Sequence, residues 1–182
     1  MIPLDTVRLS GRPPLASDLD DLRVIHSDPR AMATLAADGQ PQAPESTIAA
    51  IVRMREHWER HGFGVWMLFE KETNRFAGYA GLRHIELDSR PEVELLYAIR
   101  SDRWGAGFAT EAAGEVLRRG FRDLAPDSVV AFTLPHNRGS RAVMEKCGLR
   151  FERDMIHAAL PHVLYRITAA QFAAFKRSAA IG

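Results

Sequence analysis

The sequence predicts an α/β fold, and three observations carry that prediction. Strand-like apolar runs at 63–70, 76–85 and 93–99 follow one another with short turn-forming segments between them. The last run leads through two closely spaced glycines, Gly105 and Gly107, into the most regular helical pattern of the chain, which starts near Ala109. Beyond it come another strand, a helix opened by Asn137 and closed by Gly148, and a final hairpin. With 182 residues and neither repeat nor linker, the chain reads as one domain over 1–182.

In chain order, residues 6–9 read as a short first strand and Ser10-Gly11-Arg12-Pro13-Pro14 as a turn. Ser17 reads as the N-cap of a helix in which Leu19, Leu22 and Ile25 recur until Pro29 stops it. Residues 38–44, rich in Gly, Pro and polar groups, read as loop. A second helix begins near Ser46, with Ile48, Ile51, Val52 and Trp58 along one face. The run 63–70 lacks helical caps and is best taken as a strand buried on both faces. Glu72-Thr73-Asn74-Arg75 turns the chain back into 76–85, where Gly78 and Gly81 mark close approach or a bulge. After Asp88-Ser89-Arg90-Pro91 the next strand alternates: Val93, Leu95, Tyr97 and Ile99 share one face, and Glu92, Glu94, Leu96, Ala98 and Arg100 the other. The helix that follows buries Ala109, Ala112, Ala113, Val116, Leu117, Gly120 and Phe121, a stripe small at its start and large at its end, so its N-terminus lies close to the sheet. A loop around Pro126 precedes a strand at 129–134. Ser140, Val143, Met144 and Cys147 then share one face of the helix opened by Asn137. Residues 149–156 and 162–167 form a last antiparallel pair, before a helix from 169 to about 177.

Composition excludes several classes. The net charge is +1, from 24 basic and 23 acidic residues, so no polyanion such as nucleic acid is indicated as partner. The longest apolar run, 65–69, is far below a membrane span, and Asp5, Arg8 and Arg12 charge the N-terminus; a soluble, cytoplasmic protein is expected. The single cysteine allows no internal disulfide and fits a reducing compartment. His57 and His61 stand four apart on a helix, a spacing that suits zinc, but no third ligand lies nearby in sequence; a solvated helix face is the simpler reading and no metal is expected.

The chemistry concentrates in Trp104-Gly105-Ala106-Gly107-Phe108-Ala109-Thr110. Glycines just before a helix let a ligand approach backbone whose first N–H groups lack partners, and the helix dipole adds positive charge, so a phosphate is the guest such a turn suits. A Walker loop would need Lys followed by Ser or Thr, and a dinucleotide fingerprint a third glycine where Thr110 stands. Both fail. The stretch resembles the GNAT N-acetyltransferases, in particular the RimJ/RimL-like branch: the pattern Gln/Arg-x-x-Gly-x-Gly/Ala falls on 104–109, and the branch's Ala-Thr-Glu-Ala on Ala109, Thr110, Glu111 and Ala112. Trp104 replaces the family's Gln or Arg, with Arg103 beside it to supply charge.

What the resemblance implies is specific. The sheet is mixed and mostly antiparallel, of six or seven strands, splayed between the fourth (93–99) and the fifth (129–134). Acetyl-CoA is the cosubstrate, its pyrophosphate on the N–H groups of Gly105, Ala106, Gly107, Phe108, Ala109 and Thr110, with Arg100 or Arg103 in support. Its pantetheine arm pairs with Tyr97, Ala98 and Ile99, an N–H near Ile99 faces the thioester oxygen, and Asn137 bonds the arm or simply caps its helix. Glu94 is the candidate base for the incoming ammonium, or else a surface carboxylate; Glu92 and His84 are weaker candidates. Many relatives protonate the departing thiolate with a tyrosine, but Met144 holds that place; Ser140, the next donor on the same face, resembles the serine of the RimL-like pattern and is the candidate, or else a hydroxyl capping the first turn. Trp66, Glu94, His162 and Tyr165 are candidates for the acceptor pocket, against a core role for the aromatic ones. Cys147 packs rather than attacks. The implied activity is direct acetyl transfer to a primary amine, a protein N-terminus or a small molecule, in a ternary complex, with a homodimer possible. A non-catalytic acyl-CoA sensor or interaction module is the rival, because of Met144.

Overall fold

The computed structural model describes residues 3–36 and 38–179. Its strands are β1 (Leu4–Asp5), β2 (Leu9–Arg12), β3 (Val65–Glu70), β4 (Phe76–Leu87), β5 (Arg90–Ile99), β6 (Ser128–Thr133), β7 (Arg150–His157) and β8 (Leu160–Thr168). The helices are α1 (Leu19–His26), α2 (Pro29–Leu35), α3 (Pro44–His61), α4 (Phe108–Asp123), α5 (Arg138–Lys146) and α6 (Ala169–Ala179). All eight strands join one sheet in the order β1-β2-β3-β4-β5-β6-β8-β7. Every pairing is antiparallel except β5 with β6, and that pairing consists of one bridge, Glu94 to Val130. Arg166 Nη1 bonds both Glu92 and Ser128 on the N-terminal side of that bridge, whereas toward the C-terminal ends of β5 and β6 no further ladder pair joins them among the described residues. This is the splay expected between the strands at 93–99 and 129–134.

Alternation divides the core. Trp66, Leu68, Leu95 and Ile99 pack with the α4 stripe Ala112, Ala113, Val116 and Leu117, while Val65, Met67, Tyr79 and Ala98 pack on the other face with Leu22, Ile25 and Ile51 of α1 and α3. The strand buried on both faces is therefore β3, as its continuous apolar run requires. Gly78 and Gly81 are close-approach positions: a Cβ on Gly81 would lie 2.3 Å from the Gly64 carbonyl oxygen.

The first third departs from the sequence reading. Residues 6–9 are mostly a turn between β1 and β2, and Ser10, Gly11 and Arg12 are strand, paired with Phe69, Leu68 and Met67. Ser17 lies in a short 3-10 turn and caps nothing; the buried acid is Asp18, which binds Arg12 at 2.6 Å and the Leu15 N–H at 2.7 Å. Pro29 opens α2 instead of ending α1: Asp28 accepts from the Arg30 N–H at 2.8 Å, and proline at the first helical position gives up no bond. α3 starts at Pro44, and its buried residues are Thr47, Ile51 and Trp58, whereas Ile48 and Val52 are exposed.

Glu111, within the motif, ties α4 to the sheet edge. It accepts from the Thr6 hydroxyl at 2.6 Å, the Arg8 N–H at 2.7 Å and the Arg8 Nε at 2.7 Å. Burial pushes its carboxyl up, but these donors outweigh burial and hold it below the ordinary carboxylate value. A depressed carboxylate stabilises the fold fully above its ordinary pKa of 4.5 and loses that contribution as pH falls through the folded value. Glu111→Gln is expected to cost about 1–2 kcal/mol at pH 7 in chemical denaturation, with the gap to the parent protein closing as pH falls below the ordinary carboxylate value and through the depressed one. Gly81→Ala, which forces backbone apart, is expected to cost roughly 2 kcal/mol or more in the same assay.

Candidate active site

A cavity of about 880 Å³ opens where β5 and β6 diverge. Strand register places its lining on two faces. Arg83 and Glu94 are cross-strand partners, and Glu94 bridges to Val130, so Arg83, Glu94, Val130 and then Phe132 share one face. Phe132 opposes Leu164, His162 opposes Met155, and His157 is two residues on, which adds His162 and His157 to that face. Tyr97, of the opposite parity, looks toward α4 and α5 together with Ser140. This cavity is lined by residues of both faces.

At its α4 end, Gly105 and Gly107 hold φ of 80° and 84°, left-handed values that favour glycine. Gly107 is the N-cap of α4 and has no side chain to bond the first turn; the first helical bond is Glu111 N–H to the Gly107 carbonyl at 3.0 Å. The N–H groups of Phe108, Ala109 and Thr110 therefore precede the ladder, at the positive end of a 16-residue helix. α5 shows the opposite arrangement, since Asn137 Oδ1 accepts the Ser140 N–H at 3.0 Å. Gly105, Gly107, Phe108, Ala109 and Thr110 line the cavity; Ala106 turns its carbonyl to Arg8 Nη1 at 2.8 Å and does not. Arg8 was not foreseen: its guanidinium lies 4.6 Å from the Phe108 ring centre and borders Gly107, and no motif joins residues a hundred positions apart.

Trp104, in the place of the family's Gln or Arg, donates from Nε1 to the Ile99 carbonyl at 2.8 Å and so fixes the turn to the end of β5. Arg103 lines the cavity with its guanidinium on both oxygens of Glu70, at 2.8 and 3.1 Å. Arg100 points elsewhere, to Asp102 at 3.0 Å and the Phe76 carbonyl at 3.3 Å, and is not among the lining residues. Its own N–H bonds the Ala77 carbonyl at 3.0 Å, so by alternation the N–H groups of Tyr97 and Ile99 leave the other edge of β5, toward the gap. Tyr97, Ala98 and Ile99 all line the cavity.

At the middle of the gap, Glu94 is 4 % exposed and ion-paired with Arg83; the surface-carboxylate alternative does not describe it. Across the sheet, the Tyr97 hydroxyl lies 3.0 Å from the Ser140 Oγ and 3.0 Å from the Ser140 carbonyl oxygen. Burial raises the Tyr97 phenol well above its ordinary value, partly offset by the Ser140 bond. The Tyr97 side chain is the element that sequence reasoning missed, because the residue was valued there for its backbone alone. Asn137 uses both ends of its amide, Nδ2 donating to Thr133 Oγ1 at 3.0 Å, which is the capping role. Met144 is buried in the lining, and burial pushes the Cys147 thiol up to about 12, consistent with packing.

Several candidates fall outside. Trp66 is core, edge-on to Trp58 with ring centres 5.0 Å apart, and does not reach the cavity. Tyr165 is 1 % exposed; its hydroxyl donates to Glu145 at 3.0 Å and accepts from Arg141 at 3.2 Å, which pins α5 to β8. His162 does line the cavity, edge-on to Phe132. Glu92 is held by both Nη groups of Arg166 at 2.9 Å. His84 joins His57 and His61 in space, but His57 accepts the His84 N–H at Nε2 and donates from Nδ1 to the Phe63 carbonyl, which leaves it no lone pair for a metal. Among the described residues no group of three His, Cys, Asp or Glu is placed to hold a metal, and no helix is long and apolar enough to cross a membrane.

Residues 8–150 match the acetyltransferase (GNAT) domain. Of curated relatives, YkkB of Bacillus subtilis (strain 168) is 28% identical over 105 residues, 58% of this chain and 61% of YkkB. The FsC-acetyl coenzyme A-N(2)-transacetylase of Aspergillus fumigatus is 33% identical over 94 residues, 48% of this chain and 39% of that protein. The chain thus spans less than two thirds of the length of either relative. An acetyltransferase structure from Agrobacterium tumefaciens str. C58 superposes with a TM-score of 0.77 at 27% identity, covering 92% of this chain and 94% of that one. RimL, a ribosomal L7/L12 alpha-N-protein acetyltransferase solved with coenzyme A, superposes at 0.76 with 16% identity, covering 92% and 98%, a likeness of fold. With the family match running from the turn after β1 to the start of β7, the chain belongs to the GNAT acetyltransferase family.

Proposed function

We propose that this chain is one acetyl-CoA-dependent N-acetyltransferase domain that passes the acetyl group directly to a primary amine within a ternary complex. The observation that carries the reading is the continuity of one cavity from the uncapped first turn of α4, through the opening between β5 and β6, to a buried carboxylate. Family membership supports acyl transfer from acetyl-CoA, and RimL, of the branch that the motif resembles, was solved with coenzyme A.

In this reading the diphosphate accepts from the N–H groups of Gly107 to Thr110, with Arg8 and Arg103 as flanking cations. The pantetheine arm lies along the free edge of β5 and exchanges bonds with Tyr97 and Ile99, which aims the thioester into the gap. The amine attacks the thioester carbon, the Ile99 N–H steadies the oxyanion, and Glu94 takes the ammonium proton directly or through a water. The C–N bond forms, the C–S bond breaks, and the leaving thiolate needs a proton. In this reading Ser140 Oγ gives that proton and the Tyr97 hydroxyl, which lies 3.0 Å from both the Ser140 carbonyl oxygen and Oγ, turns its own proton from the carbonyl to Oγ, so the two hydroxyls act as one donor. The rival reading, an acyl-CoA sensor without turnover, draws its ground from Met144; in the present reading Tyr97 beside Ser140 supplies the proton that a tyrosine at 144 would give.

Glu94→Gln is expected to lower kcat by about 10²- to 10⁴-fold in a thiol-release assay while calorimetry gives an unchanged Kd for coenzyme A. Tyr97→Phe and Ser140→Ala are each expected to lower kcat about tenfold or more, with the double variant little worse than the poorer single one. Normal turnover by Glu94→Gln, or coenzyme A binding without thiol release from any of a broad range of amines, would count against the reading.

A further inference from the structure

We infer that the acceptor is an amine carrying a carboxylate a few bonds from its nitrogen, as in a free α-amino acid, and that Arg83 is the residue that reads the carboxylate. The inference rests on the acetyltransferase reading above and narrows its substrate class. Glu94 is the only carboxylate lining the cavity among the described residues. Its partner there is Arg83, and their exposures differ: the Glu94 side chain is 5% exposed and that of Arg83 45%. The guanidinium holds Glu94 through Nε, and among the described residues this is its one hydrogen bond. Both Nη groups, four N–H donors in a planar fork, are left for a second acid.

That arrangement discriminates by charge. An ammonium approaching Glu94 comes up against a guanidinium already seated on the same carboxylate, and in a partly desolvated cleft the like charges repel strongly. A bare amine or a polyamine brings more positive charge and nothing for Arg83. A peptide N-terminus offers Arg83 only a neutral carbonyl. A zwitterion satisfies both groups, its ammonium on Glu94 and its carboxylate on the Nη fork, and leaves the site neutral. The same face carries a place for the remaining substituent: Phe132, His157 and His162 line the cavity with ring centres 4.7 to 5.6 Å apart. A flat or apolar side chain fits such a wall better than a charged one.

The test compares matched acceptors in the thiol-release assay: phenylalanine and other free amino acids, their amides and methyl esters, dipeptides, phenethylamine, phosphoethanolamine and spermidine. Free acids are expected to exceed their own amides and decarboxylated analogues by about 10- to 100-fold in kcat/KM. Arg83→Gln should erase that preference through KM, and Arg83→Lys, which keeps a point charge but loses the fork, should retain only part of it. Equal use of acids and amides, a preference for peptides, polyamines or phosphoethanolamine, or a preference that survives Arg83→Gln would overturn the inference while leaving the acetyltransferase intact. Thiol release from no amine would instead overturn the catalytic reading. Calorimetry of the same amines into coenzyme A-loaded protein then decides separately: acids binding about 10- to 100-fold tighter than amides support the inference, and equal or undetectable binding refutes it.

Discussion

The single bridge between Glu94 and Val130 is the constraint on which the site depends. A fully zipped β5–β6 ladder would spend the edge N–H groups of Tyr97 and Ile99 on backbone carbonyls and close the sheet over its own core. One ladder bridge keeps the sheet continuous while the strands part beyond it, toward their C-terminal ends. It also sets Glu94 at the pivot, buried between faces that the cavity joins. Glu94, Tyr97, Ile99 and Ser140 all line the cavity that opens where the sheet fails to close.

Around the gap the protein invests in fixing what faces it. Trp104 ties the glycine turn to the last carbonyl of β5, Arg8 and Glu111 tie it to the first hairpin, and Asn137 and Tyr165 tie α5 to β6 and β8. The donors at the start of α4 are the exception, with a glycine for a cap. A helix end capped by a side chain stands beside one with none. The contrast is physical and local: Asn137 carries an acceptor, Gly107 cannot.

The parts legible in the sequence were those written in short-range pattern. The alternation over 93–99, the apolar stripe of α4, the Gly-x-Gly turn and the Asn137 cap each state their role within a dozen residues, and the structure keeps them. What escaped depended on distant partners or ambiguous punctuation. Pro29 reads equally as a stop or as a first helical residue, and the Asp28 before it was the available sign of the second. Ile48 and Val52 fit the helical period but lie on the solvent side of a stripe set by Thr47 and Ile51. The turn at Ala158 and Ala159 takes φ of 48° and 61° with no glycine or asparagine to announce it, so the last hairpin gave no sharp boundary. Tyr97 was placed on the right face, but only the fold brings its hydroxyl to Ser140, 43 positions on.

The most direct measurement is a crystal structure of the protein with coenzyme A. The account predicts diphosphate density within hydrogen-bond distance of the N–H groups from Gly107 to Thr110, and a pantetheine arm running along Tyr97 and Ile99 with its sulfur between Glu94 and the Tyr97–Ser140 hydroxyls. Coenzyme A bound elsewhere, or seated with β5 and β6 zipped shut beside it, would contradict the account.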